Sequence, residues 1–115
     1  MRLRPTISGR NKYGAIKTKV DGITFDSKKE ANRYVELRFL EVAGKIKDLE
    51  IQPKYDLMVN GVKIGYYKAD FRYIDLQTCK EVVEDVKSKA TRTPVYRIKK
   101  KILETYDPPV VIREI

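Results

Sequence analysis

Lys68-Ala69-Asp70-Phe71-Arg72-Tyr73-Ile74-Asp75, Leu76-Gln77-Thr78-Cys79 and Lys80-Glu81-Val82-Val83-Glu84-Asp85-Val86-Lys87 read in series as a strand, a short loop and a second strand. Asp85 and Lys87 are two apart, so a strand points both to one face. A loop of Leu76 to Cys79 pairs Asp75 with Lys80. Counting back in antiparallel register sets Asp70 opposite Asp85 and Lys68 opposite Lys87. Directly opposed side chains approach within about 5 Å at Cβ. Two carboxylates that close repel each other, an arrangement a bound cation relieves. A slip of one residue would send them to opposite faces.

The rest of the chain arranges itself around this hairpin. Lys17–Val20 and Ile23–Phe25 flank Asp21-Gly22, a strong turn signal for an opening hairpin over residues 15–26. Ser27 opens a helix to about Ala43, with Glu30 at capping-box spacing and Gly44 as the stop. Ala31, Tyr34, Val35, Leu37, Leu40 and Val42 supply its apolar side. Ile46 to Val59 reads as one extended region bent near Pro53. Asn60-Gly61 turns into a long strand, Val62 to Asp75. Tyr67, Ala69, Phe71 and Tyr73 would form one face of that strand, and Lys68, Asp70 and Arg72 the other. Thr93-Pro94 starts a second helix, its buried stripe formed by Val95, Ile98, Ile102 and Tyr106. Pro108-Pro109 ends it, and Val110 to Ile115 form a last strand. After the hairpin the order is helix, three strands, helix, strand: an α/β (α+β) domain with a mixed central sheet.

Charge points to a polyanion. The chain of 115 residues carries a formal charge of +9, and 42% of its residues are hydrophobic, so it is one globular domain with a basic surface. Every charged residue from Met1 to Val20 is basic, and a second acid-free block runs from Lys87 to Lys101. Residues 1–14 read as a flexible arm able to bind DNA by counterion release. Arg10, Lys12, Lys17, Lys89, Arg92, Arg97, Lys100 and Lys101 are the phosphate-binding candidates. Each block also fits a solvated face or a loose tail. With no His, His-dependent nucleases, His-ligated zinc and Ser-His-Asp hydrolysis are excluded. One cysteine, Cys79, forms no intrachain disulfide and suits a reducing cytoplasm. No apolar stretch is long enough to cross a bilayer, and the start lacks a secretion signal.

Each acid has a structural explanation of its own. Glu30 completes a capping box. Asp70 lies between Lys68 and Arg72. Asp85 and Lys87 can be an ordinary polar strand face. Glu84 points to the opposite face from Asp85 by strand parity and is a structural or rim residue; a bulge would reopen the choice between the two. Together, a helix acid, a strand acid and an acid-x-lysine on the next strand resemble the PD-(D/E)XK nuclease superfamily. In order and spacing they look most like small phage-encoded endonucleases of the Holliday-junction-resolvase-like type.

The segments that carry the resemblance are Ser27-Lys28-Lys29-Glu30-Ala31, Lys68-Ala69-Asp70-Phe71-Arg72-Tyr73 and Val83-Glu84-Asp85-Val86-Lys87. Ala69 stands where the motif's name requires Pro, and Asp85 where Glu is commoner. The resemblance implies a restriction-endonuclease-like core over residues 27–115, of helix, three antiparallel strands, helix and strand. It implies Mg²⁺ or Mn²⁺ held by Asp70, Asp85, Glu30 and the Val86 backbone carbonyl. Lys87 would orient or activate the attacking water, and Gln52 would help position the site. The implied activity is hydrolysis of phosphodiester bonds in DNA, with branched DNA such as Holliday junctions as the implied substrate, in recombination. A homodimer follows from the two related cuts a symmetric junction needs. The alternatives are a non-catalytic nucleic-acid-binding protein with this fold and a phage structural or assembly protein.

Overall fold

A computed structural model describes residues 6–10, 16–88 and 91–115, and of residues 6–10 and 16 the backbone only. The chain divides into two compact units, Met1–Lys45 and Ile46–Ile115.

The first unit is a three-stranded antiparallel sheet followed by a helix. Strands β1 (Thr6–Arg10), β2 (Ile16–Val20) and β3 (Ile23–Phe25) are neighbours in that order. β1 corrects the expectation of a flexible arm over its residues; the remainder of that arm lies outside the described residues. Asp21 and Gly22 both take positive φ, at 53° and 78°, as a tight Asp-Gly hairpin turn requires. Helix α1 (Lys28–Val42) begins at Ser27, whose Oγ accepts from the Glu30 backbone N at 3.1 Å. This half of the capping box satisfies an N–H that the helix leaves unpaired. Tyr34 stacks obliquely on Phe25 at 5.1 Å and donates from its hydroxyl to Asp21 at 3.0 Å.

The second unit holds two sheets. Strands β4 (Ile46–Ile51), β7 (Phe71–Asp75), β8 (Lys80–Asp85) and β9 (Ile112–Glu114) form a mixed sheet in the order β4-β7-β8-β9, with only β9 parallel to its neighbour. Strands β5 (Lys54–Val59) and β6 (Val62–Lys68) form a separate two-stranded ladder closed by Asn60-Gly61. Thus the single extended region and the single long strand expected from sequence are each two strands. The breaks fall at Gln52-Pro53 and Ala69-Asp70. Gln52 adopts φ 55°, and its N–H donates to the Asp70 carbonyl at 2.9 Å while Ala69 N–H donates to the Pro53 carbonyl at 3.0 Å. The two breaks are therefore tied to each other, and the pair of segments changes sheets together.

Helix α2 (Pro94–Glu104) is capped by Thr93, whose Oγ1 accepts from Tyr96 N at 3.1 Å. Its buried residues are Tyr96 and Leu103, packed with Leu57, Tyr67, Ala69, Val83 and Ile112. Ile102 and Tyr106 lie against this core as expected. Val95 and Ile98 do not: each is about 60% exposed. Both sheets demand contact from one helix side, so the stripe is set by Tyr96 and Leu103 rather than by the most apolar residues. The last strand starts at Ile112, not Val110, because Val110 N–H instead donates to the Leu103 carbonyl at 3.0 Å and closes the helix end. A bulge between Leu57 and Met58 frees main-chain groups of β5; Tyr106 satisfies them, accepting from Met58 N at 2.9 Å and donating to the Asp56 carbonyl.

Candidate active site

The turn of Leu76 to Cys79 has the expected length. Asp75 pairs with Lys80, and the register runs without slip to Phe71 opposite Glu84. Cys79 closes it in the left-handed region, at φ 58°, with its N–H bonded to the Asp75 carbonyl at 2.7 Å. It is an exposed, free thiol.

Beyond Phe71 the ladder changes character. Asp70 N–H donates to the Glu84 carbonyl at 3.1 Å, and Asp70 Oδ2 accepts from Val86 N at 2.7 Å. A side-chain carboxylate thus takes a donor that a regular ladder would hand to a main-chain carbonyl. Asp70 reaches the strand that carries Asp85 and Lys87, on the residue between them. The break also overturns the expected four-residue face. Tyr67 and Ala69 pack on α2, whereas Phe71 lies opposite Glu84 and the Tyr73 hydroxyl hydrogen-bonds the Glu84 carboxylate. The alternation of side chains is reset at Ala69-Asp70, so parity counted through it fails.

Asp85 ends β8 and is 3% exposed. Lys87 Nζ forms an ion pair with its Oδ2 at 3.3 Å, and Oδ2 has no further hydrogen-bond partner among the described residues. Burial raises the Asp85 pKa to about 6; Lys87 opposes the rise and Glu114 adds to it. The Lys87 ammonium also lies 4.0 Å from the centre of the Tyr96 ring. Main-chain bonds fix this corner: Ile115 N donates to the Asp85 carbonyl at 3.0 Å, and Lys87 N to the Ile115 carbonyl at 3.2 Å. Glu84, one residue earlier, is wholly buried on the other face. Its carboxylate accepts from the Tyr73 hydroxyl.

Over residues 10–111 the chain matches the model of a family described as a protein of unknown function, DUF1064. It belongs to that family. No curated protein and no solved structure matches the chain.

In this DUF1064 member the sequence reading missed Glu114 and Tyr96. Glu114 is the register partner of Asp85 across the parallel β8–β9 pair. It accepts from the Tyr96 hydroxyl at 2.7 Å, and Arg92 and Lys100 approach it at 3.3 and 3.6 Å. The Tyr96 hydrogen bond holds the Glu114 pKa below the usual range, with the two cations adding to the effect. Only the acid-x-lysine spacing was visible in sequence; the parallel pairing that brings Glu114 alongside has no local signal. Two of the phosphate-binding candidates, Arg92 and Lys100, thus have an acid partner. Arg97, Lys101 and Lys17 are exposed, while Lys12, Lys89 and the side chain of Arg10 lie outside the described residues. Gln52 acts through its main chain on Asp70. Glu30 is buried in α1, within the first unit. No group of three or more His, Cys, Asp or Glu residues able to hold a metal occurs among the described residues, and no helix among them is long and apolar enough to cross a membrane.

Proposed function

We propose that this protein is a cytoplasmic, divalent-metal-dependent DNA endonuclease with a restriction-endonuclease-like core, acting on branched DNA as a homodimer. One observation carries the reading: Asp70 bonds the main chain between Asp85 and Lys87, so two carboxylates and a lysine share one corner of a sheet. The element order supports it: after α1 come the antiparallel β4, β7 and β8, then α2, then the parallel β9.

The residues fit a hard cation. Asp85 Oδ2 is a buried carboxylate oxygen with no hydrogen-bond donor among the described residues and with the Lys87 ammonium 3.3 Å away; a bound cation can share such an oxygen. Mg²⁺ is commonly held by one or two carboxylates, with water and phosphate oxygens completing its shell, so two acids suffice. Asp70, Asp85 and the Val86 carbonyl would hold it. When bound, such an ion lowers the pKa of its water and neutralises phosphate charge. Lys87, fixed between Asp85 and the Tyr96 ring, sets a positive charge where anionic charge builds on the phosphate. Arg97 and Lys101 are exposed cations for neighbouring phosphates.

The second reading, a binding protein that does not cut, has one observation in its favour: the lack of a three-acid group among the described residues. Cleavage of labelled linear, flapped and four-way DNA with Mg²⁺, Mn²⁺ or chelator separates the two. Cutting with the metals alone, lost in Asp70→Ala, Asp85→Ala and Lys87→Ala variants that still fold, is the expected result. Cutting that survives all three refutes the site; binding without cutting under every metal favours the second reading.

A further inference from the structure

A cleft of about 340 Å³ opens beside Lys87, between β6 and α2. Its walls bring together Tyr66, Lys68, Lys87, Tyr96 and Lys99, and no carboxylate lines it. Lys68 is exposed and Lys99 half-buried, and neither has an acidic partner among the described residues. Lys99 Nζ donates to the Tyr66 carbonyl at 3.0 Å, which ties the helix side of the cleft to the strand side. Tyr66 is 49% exposed, a large aromatic ring left at the surface of a small domain. Lys54 stands 4.1 Å from its centre and Lys99 5.9 Å. The Tyr67 hydroxyl, at the cleft wall, is buried with no hydrogen-bond partner among the described residues. Cations beside an exposed aromatic ring are the parts of a single-strand site. The ring stacks a base and the ammonium groups take the phosphates on either side. A duplex offers no base face to such a ring, because its bases are stacked on each other.

We infer that this cleft binds an unpaired nucleotide, with its base on Tyr66 and its phosphates on Lys68 and Lys99, so that the DNA taken to Lys87 carries a single-stranded segment. The inference deepens the nuclease reading and rests on it. A base arriving on Tyr66 displaces the exposed Lys54 side chain from the ring. The cleft then feeds the strand toward Asp85, since Lys87 belongs to both.

The test is binding without cutting. Fluorescence anisotropy with labelled oligo-dT, the same strand made abasic, and a duplex of equal length is measured in chelator. Oligo-dT is expected to bind more tightly than the duplex. Tyr66→Ala should weaken oligo-dT roughly 5- to 150-fold and leave the duplex unchanged, with Tyr66→Phe close to the original. The abasic strand should lose the same factor and show no further loss with Tyr66→Ala. Lys68→Gln should lower the slope of log affinity against log salt by about 0.7 for the single strand. Equal affinity for single strand and duplex, or an equal loss for both in Tyr66→Ala, overturns the cleft. Absence of cutting by the unsubstituted chain with either Mg²⁺ or Mn²⁺ overturns the nuclease reading alone, because the anisotropy is read with metal removed.

Discussion

Replacing Asp85 with Asn should stabilise the protein, and only above acid pH. Asp85 is 3% exposed and its pKa rises from 3.8 to about 6 through burial. The folded chain therefore keeps this proton over a range where the unfolded chain has lost it. Stability contributed by the protonated acid is full below the unfolded value and falls as pH climbs through the window from 3.8 to about 6. Tenfold in proton affinity is about 1.4 kcal/mol, so the ionised carboxylate costs about 3 kcal/mol at neutral pH. Asn resembles the protonated acid and carries no such cost. The gain of Asp85→Asn over the original chain should then grow by up to about 3 kcal/mol between about pH 4 and about pH 7.5. Urea unfolding in chelator, run for both proteins across that range, measures it. A gain independent of pH, or a variant that loses ground as pH rises, refutes the burial argument. Added Mg²⁺ supplies a cross-check, since it should stabilise the original chain and not Asp85→Asn.

Two further substitutions probe the scaffold. Leu103→Ala empties a fully buried position where α2 meets both sheets; a loss of about 2–5 kcal/mol in urea unfolding is expected, and less than 1 kcal/mol would mean that α2 does not organise this core. Tyr73→Phe removes a donor from the wholly buried Glu84 carboxylate and should cost about 1–3 kcal/mol with DNA cleavage retained; cleavage lost while folding persists would make Glu84 the functional acid.

Local signals in the sequence correspond to local structure. Ser27 and Thr93 announce their helices through side-chain caps, and Asp21-Gly22 and Asn60-Gly61 their turns. The loop from Leu76 to Cys79 fixes the β7–β8 register as far as Phe71 opposite Glu84; the expected pairs Asp70–Asp85 and Lys68–Lys87 lie beyond the ladder, and Lys68 pairs with Lys54 instead. What failed was non-local. The switch of sheets at Gln52-Pro53 and Ala69-Asp70 depends on two segments bonding each other, and nothing in either announces it, although Pro53 hinted at a bend. The buried side of α2 differs from the expected stripe because Val95 and Ile98, though apolar, stay largely exposed. Glu114 joined the candidate site through parallel pairing with β8, a contact that no spacing along the chain encodes. Glu84 lies on the face opposite Asp85, as strand parity predicts, because no bulge interrupts β8 from Lys80 to Asp85.

The reset of side-chain alternation at Asp70 uncouples the aim of this carboxylate from the packing on either side. Residues before the break answer to one core and residues after it to the opposite face, so Asp70 inherits its direction from neither. One of its carboxylate oxygens is held by the Val86 amide, on the neighbouring strand. That bond ties the acid to the strand of Asp85 and Lys87 rather than to either apolar layer.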